Sequence, residues 1–524
     1  MVPGLKTPSR LPLQTIAPAA ITGAILLLFW WLTRLPDLQT LPLHNDEGLH
    51  LTRAVEVWNL HPFWEIRDGK IANHFLIALF YPQNAPVFAG RMATIFVALI
   101  GAAAGFALIR QRFGVLAGVL SLLALIASPY LLFYDRLALS DAEASALVVL
   151  SLWAADRLAR RGTIANALLT GLCFGAAALF KFTAIPFALS LALVVLLTAR
   201  YPVRRRLTLL VAAGLVTAAL FVVPIGYLLL RGDDLFSIAL GWIGTGGPAG
   251  QPALVENLAR LWETLTAYAP VGTLLLIGGL ILLPLSGGRG RGVQGVRSIP
   301  TAYLLALVIP LAVMLVLGRE VLPRHFVVAL PLALILSGAG WAALIDLLPM
   351  RSVSLRWGAA LLVAALLIAP LIAALPVLWH TPHRLSMPAF DVAQFVTQHP
   401  SGYGLREAVL AMPDEVSSAG APIIASMFPD SCRRANFYAA YRPDGLRLLC
   451  TDAPGEDAIR AALTDNVDEA VYVLTDTAPL IGADVPALAE SLGAHAERVA
   501  AYPRPGESEQ SASVVLWRMA SETR

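Results

Sequence analysis

Long apolar runs dominate this sequence of 524 residues and decide what it can fold into. A helix crosses the hydrocarbon core of a bilayer with about 20 apolar residues. Eleven runs approach or exceed that length, at about 16–33, 88–109, 114–133, 139–155, 164–180, 182–199, 207–230, 268–285, 300–318, 325–345 and 357–379. Since 57% of the residues are hydrophobic and only 14% are charged, an ordinary soluble domain is excluded. The sequence predicts a polytopic α-helical membrane protein with about 11 transmembrane helices.

Basic residues are concentrated in alternate connections between these runs. The basic set holds Arg110, Arg112, Arg157, Arg160, Arg161, Arg200, Arg204, Arg205, Arg206, Arg289, Arg291, Arg297, Arg351 and Arg356. Cytoplasmic loops carry the Lys and Arg excess of a membrane protein. With Lys6 and Arg10 on the same side, we expect a multi-pass protein of the plasma membrane whose N-terminus is cytoplasmic. The net charge of +3 then reflects membrane sidedness, and no nucleic-acid partner is predicted.

The composition changes after about Trp379. Residues 380–524 are polar and acid-rich, and strand-sized runs such as APIIASMF and EAVYVLTD alternate with helix-compatible stretches. This pattern predicts a small extracytoplasmic α/β domain that follows a transmembrane domain of residues 1–379. A loosely ordered tail is the alternative. Cys432 and Cys450 either form a disulfide in an oxidising compartment or stay free.

Two long outer loops are predicted, at about 35–87 and 231–267. Each contains an amphipathic, helix-like segment, LHLTRAVEVW in the first and PALVENLARLWETL in the second. Segments of this kind suit the surface of a bilayer. The arrangement favours chemistry on the outer face, next to lipid.

Ionisable residues gather near the outer ends of the predicted spans. They are Asp46, Glu47, His61, Lys70, His74, Asp135, Arg136, Asp141, Glu143, Lys181, Arg319, Glu320, Arg324 and His325. Charges at the edge of a span are costly and usually face an internal cavity. Cations beside carboxylates suit an anionic substrate together with a proton acceptor or a metal.

Four motifs in this order resemble the membrane glycosyltransferases of the GT-C class, in particular the protein O-mannosyltransferase and aminoarabinose transferase group. They are NDEG in the first outer loop, DGK and NHF later in that loop, YDRLALSD before the fourth span, and RHFVVALPLALILSG at a late span. The resemblance covers about the first 380 residues. Members often have a Pro-Pro pair near a Lys in the first loop, which this chain lacks, so the substrate is not carried over.

The resemblance implies a GT-C-like fold and transfer of a sugar from a polyprenyl-phosphate donor to a hydroxyl acceptor on the outer face, with inversion. A hydroxyl needs a base, and Asp46 is the candidate catalytic residue. An anionic phosphate leaving group needs cationic donors. The phosphate-binding candidates are Lys70, Arg136, Lys181, Arg324 and His325, and the site-supporting candidates are Glu47, Asp135 and Asp141. Membrane lipids and a protein, lipid or glycan acceptor are the expected partners.

Each assignment has a structural alternative. Asp46 and Glu47 also suit a helix N-terminus, and Lys181 and Arg324 also suit snorkelling to the membrane surface. The cofactor stays unknown: a divalent metal on the first-loop histidines is a hypothesis, but their spacing is not diagnostic and no metal ligand is assigned. The alternative function is a transporter or lipid flippase with a charged outer-face pathway, although we find neither internal repeats nor midplane charges.

Overall fold

The structure is a computed structural model that describes residues 13–62, 67–80, 85–234, 237–238, 253–287, 298–318, 321–348, 353–413, 416, 423–442, 444–451, 455–465, 470–476 and 484–521. Several charged residues used in the sequence predictions lie outside the described residues. They are Lys6, Arg10, Arg289, Arg291, Arg297, Arg319, Glu320 and Arg351.

All eleven apolar runs are helical over most of their length. The helices of the first half are α1 (Leu13–Arg34), α2 (Asn45–Trp58), α3 (Asn73–Ala78), α4 (Pro86–Phe113), α5 (Val115–Ala127), α6 (Pro129–Tyr134), α7 (Ser140–Arg161), α8 (Ile164–Phe180), α9 (Ala188–Thr198) and α10 (Val203–Leu230). Those that follow are α11 (Ala253–Tyr268), α12 (Pro270–Leu282), α13 (Ser298–Leu317), α14 (Leu330–Leu347) and α15 (Val353–His380). Short 3-10 helices at Phe182–Phe187 and Pro323–Val328 precede α9 and α14.

Five of the described helices are both long enough and apolar enough to cross a membrane by themselves: α4, α10, α13, α14 and α15. A sixth span results if α11 and α12, which meet at an angle of 117°, count as one. Shorter apolar helices lie at Pro18–Arg34, Val115–Ala127, Ile164–Phe180 and Phe182–Thr198. The prediction of a largely helical, apolar protein is therefore confirmed, whereas the number of 11 crossings stays a prediction.

The two ends of the helix bundle differ in charge. At one end, α4 and α7 finish close together, and both Arg112 and Arg160 form ion pairs with Asp156. At the opposite end of the same bundle, Asp141 lies in the first turn of α7 and Lys181 directly follows α8. One end of the bundle thus carries Arg112 and Arg160 around Asp156, and the other end carries the Asp141–Lys181 pair.

Small residues allow the helices to pack closely. A Cβ atom built on Gly101 of α4 would lie 2.5 Å from the Ala146 Cα atom of α7. Without a solvent-driven hydrophobic effect between apolar helices, such backbone contacts are a main source of association in lipid. The α4–α7 pair is therefore set by residue size, not by hydrophobicity.

Helix α11 has an exposed apolar stripe, as the amphipathic segment of the second loop predicted. Val255, Leu258 and Trp262 are exposed on one face, whereas Asn257 and Thr264 are buried. At 100° per residue these two sets fall on opposite faces of the helix. On the inner face, Asn257 and Thr264 accompany Leu261 and Leu265, which pack against the core of the bundle.

Beyond α15, short helices lead into a five-stranded sheet. The elements are α16 (Ala389–Val392), α17 (Leu405–Leu410), β1 (Ile423–Ser426), α18 (Pro429–Ala439), β2 (Leu448–Cys450), α19 (Glu456–Asp465), β3 (Val471–Asp476), α20 (Val485–Ser491), β4 (Ala494–Tyr502) and β5 (Val514–Ser521). The strand order is β2-β1-β3-β5-β4, with β2, β1 and β3 parallel and β5 antiparallel to both of its neighbours. Cys432 and Cys450 are joined by a disulfide, which decides between the two alternatives.

The sheet unit and the first loop share a hydrophobic core. Leu51 and Ala54 of α2 lie in one buried cluster with Cys432 and Ala435 of α18 and with Leu516 of β5. The first-loop segment is therefore helical as expected, but it does not lie on a bilayer surface. Its apolar face is covered by the elements that follow α15, from α16 to β5, which are called the C-terminal unit below.

Candidate functional site

Asp46 lies in the first turn of α2, and the residues around it fix that turn. His44 is the N-cap, and its Nδ1 atom accepts a hydrogen bond of 3.1 Å from the Asp46 backbone N–H. The Glu47 carboxylate accepts one of 3.0 Å from the His44 N–H. This reciprocal capping satisfies backbone donors that a helix start leaves free. The predicted N-terminal role of HNDEG is thus real, and it also orients Asp46.

His44 is held as a neutral ring. Its Nε2 atom lies 3.2 Å from the Gln394 Oε1 atom, and because Nδ1 accepts a hydrogen bond, Nε2 is the donor in this contact. Burial lowers the pKa of His44 to about 4, although the carboxylates of Asp46 and Glu47 oppose this change. A neutral His44 can therefore keep its capping role at neutral pH.

Asp46 forms ion pairs with two cations from distant parts of the chain. Its Oδ2 atom accepts hydrogen bonds from the Lys70 Nζ atom at 3.0 Å and from the Arg324 Nη1 atom at 2.6 Å. The Asp46 side chain is still 21% exposed, so a bound molecule can reach it. Among the described residues, no donor bonds its Oδ1 atom. One oxygen is thus used by the cations and the other is available.

The two cations govern the acidity of Asp46. Burial raises the pKa of the Asp46 carboxyl, but the charges of Lys70 and Arg324 lower it by more, so the pKa lies well below its usual range. Asp46 is therefore ionised at neutral pH. An ionised carboxylate can accept a proton, and its basicity depends on how tightly the cations hold it.

A second ion pair lies beside the first. Lys181, at the end of α8, bonds Asp141 in the first turn of α7. Asp141 acts electrostatically on Arg324, and the charge of Lys181 acts on His325. The His325 ring is oriented by its own turn, because its Nδ1 atom accepts a hydrogen bond of 3.2 Å from the Leu322 N–H.

The structure brings six of the nine predicted site residues into one charged group. This group, called the cationic cluster below, consists of Asp46, Lys70, Asp141, Lys181, Arg324 and His325. Its members come from the first loop, from α7, from the end of α8 and from the segment before α14. All of these elements meet at the end of the helix bundle opposite the Asp156 ion pairs.

The structure does not bring Glu47, Asp135 and Arg136 into the cationic cluster. Glu47 accepts hydrogen bonds of 2.9 and 2.8 Å from the Arg91 guanidinium. Asp135 forms a buried ion pair of 3.2 Å with Arg34. Arg136 donates a hydrogen bond of 3.0 Å to the Asp37 carbonyl oxygen. Each of these three side chains ties helices and loops together at a different place.

Two contributors near Asp46 were not predicted. His50 is buried one helical turn after Asp46 and interacts electrostatically with Asp46 and Lys70. Its Nδ1 atom lies 2.8 Å from the Ala138 carbonyl oxygen. Asp391 of α16 is buried and accepts hydrogen bonds from Tyr134 and Tyr268. A spacing of four residues on one helix could have indicated His50, but no local pattern indicates Asp391.

Metal binding receives no support from the described residues. Within the part of the chain that the structure describes, no group of three or more His, Cys, Asp or Glu side chains is arranged to hold a metal ion. The ligand chemistry of the cationic cluster also favours an anion, because its three Lys and Arg cations outnumber its two carboxylates.

An apolar groove opens beside the cationic cluster. It lies between α5, α6, α11, α12, α14 and α15 and is lined mainly by apolar side chains, with Tyr130 and Tyr268 among the lining residues. The Tyr130 hydroxyl donates to the carbonyl oxygen of Pro323, the residue before Arg324. A neighbouring groove shares Tyr268 and also includes Arg384. Apolar walls and cationic groups are thus close neighbours here.

Comparison with known proteins gives one family match. A profile of the family described as dolichyl-phosphate-mannose-protein mannosyltransferase matches residues 72–227. The match begins between Lys70 and α3 and includes Asp141 and Lys181 of the cationic cluster. Among curated proteins, none matches the chain by sequence.

Solved structures give likenesses over nearly the whole chain. ArnT from Cupriavidus metallidurans bound to undecaprenyl phosphate has a TM-score of 0.58 at 15% identity, covering 96% of this chain and 98% of that one. Its apo state has a TM-score of 0.56 at the same identity and the same coverage of 96% and 98%. The archaeal oligosaccharyltransferase AglB from Archaeoglobus fulgidus, in complex with an inhibitory peptide and a dolichol-phosphate, has a TM-score of 0.50 at 12% identity, covering 88% and 70%.

At such low identities the structural likeness shows a shared fold. Together, the family profile and this fold confirm the resemblance that the sequence motifs carry: the chain is similar to membrane glycosyltransferases of the GT-C class.

Proposed function

We propose that this protein transfers a sugar from a polyprenyl-phosphate donor to a hydroxyl group of a protein, lipid or glycan acceptor, with Asp46 as the general base. The observation that carries the proposal is the ion-pair arrangement in which Lys70 and Arg324 both bond one oxygen of Asp46. This arrangement places a general base next to two cationic side chains that can bind a phosphate group. The matching family and the lipid phosphates bound to ArnT and AglB support the donor class.

In the proposed reaction, the donor phosphate competes with Asp46 for the same cations. Phosphate oxygens accept hydrogen bonds from Lys70 and Arg324 as readily as a carboxylate does. When these cations turn toward the phosphate, the Asp46 carboxylate loses the charges that hold its pKa down. Its pKa then rises and it becomes a stronger base, so donor binding itself prepares the base.

The transfer step follows from these roles. Asp46 accepts the proton of the acceptor hydroxyl while that oxygen forms a bond to the anomeric carbon of the sugar. The bond from the anomeric carbon to the phosphate oxygen breaks, and its electron pair stays on the phosphate, where Lys70 and Arg324 stabilise the added charge. A single displacement of this kind inverts the anomeric carbon, and it needs no second carboxylate because the phosphate is a good leaving group.

The apolar grooves support a lipid-linked donor. They lie beside the cationic cluster, as a molecule with a charged head and an isoprenoid chain requires. The transporter alternative has less support, since the charged groups gather at one end of the bundle and transporter sites lie near the midplane.

Two observations support an extracytoplasmic site in the plasma membrane, with a cytoplasmic N-terminus. The cationic cluster lies at the end of the bundle opposite the arginine-rich helix ends, which suit the cytoplasmic side. The Cys432–Cys450 disulfide belongs to the C-terminal unit, and disulfides persist in oxidising compartments. We therefore propose that residues 380–524 lie outside, next to the transmembrane domain of residues 1–379.

The test compares sugar release from a panel of polyprenyl-phosphate sugars by the purified wild type and by Asp46→Asn. We expect the variant to fold and to lose about 100-fold or more in kcat, as the removal of a general base does. Glu56→Gln, which alters an exposed carboxylate of the same helix paired with His61, should match the wild type. Wild-type protein that releases sugar from no donor, but moves lipid-linked sugars across proteoliposomes, would establish the transporter alternative.

A further inference from the structure

Asn257 is a buried amide on the inner face of α11, and no sequence pattern singles it out. Its side chain is 1% exposed although it lies on a loop helix. The Nδ2 atom donates hydrogen bonds of 3.0 Å to the Leu315 carbonyl oxygen and 2.8 Å to the Gly318 carbonyl oxygen. The Oδ1 atom accepts one of 3.0 Å from the Val321 N–H. One side chain thus makes three hydrogen bonds to the backbone between the end of α13 and the segment of Arg324.

These three contacts hold the turn that leads to Arg324. Leu315 lies in the last turn of α13, where the backbone carbonyl groups find no N–H donor within the helix. Gly318 and Val321 follow, and the 3-10 helix that contains Arg324 begins at Pro323. Asn257 therefore bonds the end of α13 and also the residues just before the 3-10 helix of Arg324.

Two further hydrogen bonds hold this segment, one of them local and the other from α6. The Leu322 N–H bonds His325 within the segment, and the Tyr130 hydroxyl bonds the Pro323 carbonyl oxygen. Among these contacts, Asn257 supplies the link to the second outer loop. Since Arg324 reaches Asp46 at 2.6 Å, a small displacement of this turn would break the contact.

We propose that Asn257 is a positioning residue: it fixes the turn before Arg324, and through it the α11 helix controls the phosphate-binding end of the cationic cluster. The geometric part of this inference concerns the Arg324–Asp46 contact, and its consequence for the donor rests on the proposed function. The opposite face of α11 exposes Val255, Leu258 and Trp262, and an apolar face of this kind suits contact with lipid.

The test is a double-mutant cycle with Asn257→Ala, Arg324→Ala and the double variant. The measurement is the Kd for undecaprenyl phosphate in detergent. We expect Asn257→Ala to weaken binding about 10-fold in the presence of Arg324, and by less than about 2-fold in the Arg324→Ala background, since only coupled residues deviate from additivity. Glu256→Gln, on the neighbouring position of α11 and in an exposed pair with Arg260, should bind like the wild type.

Equal losses in both backgrounds, or no loss in either, would overturn the positioning role. If Asn257→Ala does not fold, Asn257→Ser keeps a smaller hydrogen-bonding group and replaces it in the cycle.

A second cycle measures melting temperature without any lipid. We expect the destabilisation caused by Asn257→Ala to be smaller in the Arg324→Ala background, because the Arg324–Asp46 contact is then already absent. If the wild type binds no lipid phosphate, the proposed function fails and this cycle alone decides the inference. If the wild type transfers sugar and both cycles are additive, the inference fails and the proposed function stands.

Discussion

At the scale of single residues, the neighbours Asp46 and Glu47 have different partners because a helix separates adjacent side chains by about 100°. Asp46 points toward Lys70 and Arg324 and stays partly exposed. Glu47 is fully buried against Arg91 and also accepts a hydrogen bond of 2.7 Å from the Ala138 N–H. The first carboxylate, the proposed base, stays accessible, and the second holds the first loop to α4.

Glu47→Gln should therefore affect stability more than Asp46→Asn does. The change leaves the Arg91 charge buried without its counter-charge, which costs about 3 to 5 kcal/mol. Asp46→Asn leaves Lys70 and Arg324 partly exposed to solvent, so its cost is smaller. Thermal unfolding of the two variants under the same detergent conditions measures the difference. Equal melting temperatures would contradict the structural role of Glu47.

At the scale of elements, Asp391 joins three helices at one buried carboxyl group. The hydroxyl groups of Tyr134 in α6 and Tyr268 in α11 donate hydrogen bonds of 2.9 and 2.7 Å to its Oδ2 atom. Arg324 and Glu263 also act on it electrostatically. Burial raises the pKa of Asp391 to about 7, although the two tyrosines and Arg324 oppose this change.

This raised pKa predicts a pH-dependent stability. The folded protein keeps a proton on Asp391 at pH values where the unfolded chain, with an ordinary pKa of 3.8, has lost it. The stabilisation is full below about pH 4 and is lost as the pH rises through about 7. As the pH rises through this window, the melting temperature of the wild type should fall relative to that of Asp391→Asn. Above the window, the difference between the two melting temperatures should stay constant. Asp346→Asn, a control at an exposed carboxylate, should follow the wild type, and parallel curves for Asp391→Asn throughout would contradict the prediction.

At the scale of the whole molecule, the C-terminal unit and the first loop form one structure. Arg434 of α18 is fully buried and donates hydrogen bonds to the carbonyl oxygens of Leu43, His399 and Pro400 at 3.0, 2.8 and 2.9 Å. Leu43 directly precedes His44, the cap of the helix that carries Asp46. The C-terminal unit therefore helps to hold in place the loop that leads to Asp46.

Gly48 is the point where this support is tightest. A Cβ atom at Gly48 would lie 2.5 Å from the Arg434 Cγ atom, and the hydrogen bonds of Arg434 prevent it from moving freely. Ala is a better helix former than Gly by about 1 kcal/mol, but overpacking costs about 1 to 3 kcal/mol. We expect Gly48→Ala to lower the melting temperature and the turnover.

The control for this prediction is Gly214→Ala in α10, where a Cβ atom would meet nothing within 4 Å. That variant should melt at or above the wild-type temperature. If Gly48→Ala behaved in the same way, Arg434 would not hold the first loop as described.

The sequence determined the class of protein, because apolar runs of membrane length have few other solutions, and its alternating basic connections predict the sidedness of these runs. It also supplied Asp46, Lys70 and Arg324 as candidates, since charges at span ends are costly enough to be informative. Apolar periodicity likewise predicted α11 and its exposed face.

Only the tertiary structure decided which of these charges work together. Lys70 and Arg324 bond Asp46 from separate segments, and the Asp141–Lys181 pair lies beside them. Asp135 and Arg136, which the sequence places at the same membrane level, bond Arg34 and Asp37 instead. Asn257 and Asp391 had no local signal at all, because their partners lie more than 50 residues away in sequence. Hydrogen bonding acts over about 3 Å in space, and a linear sequence does not encode that distance in its spacing.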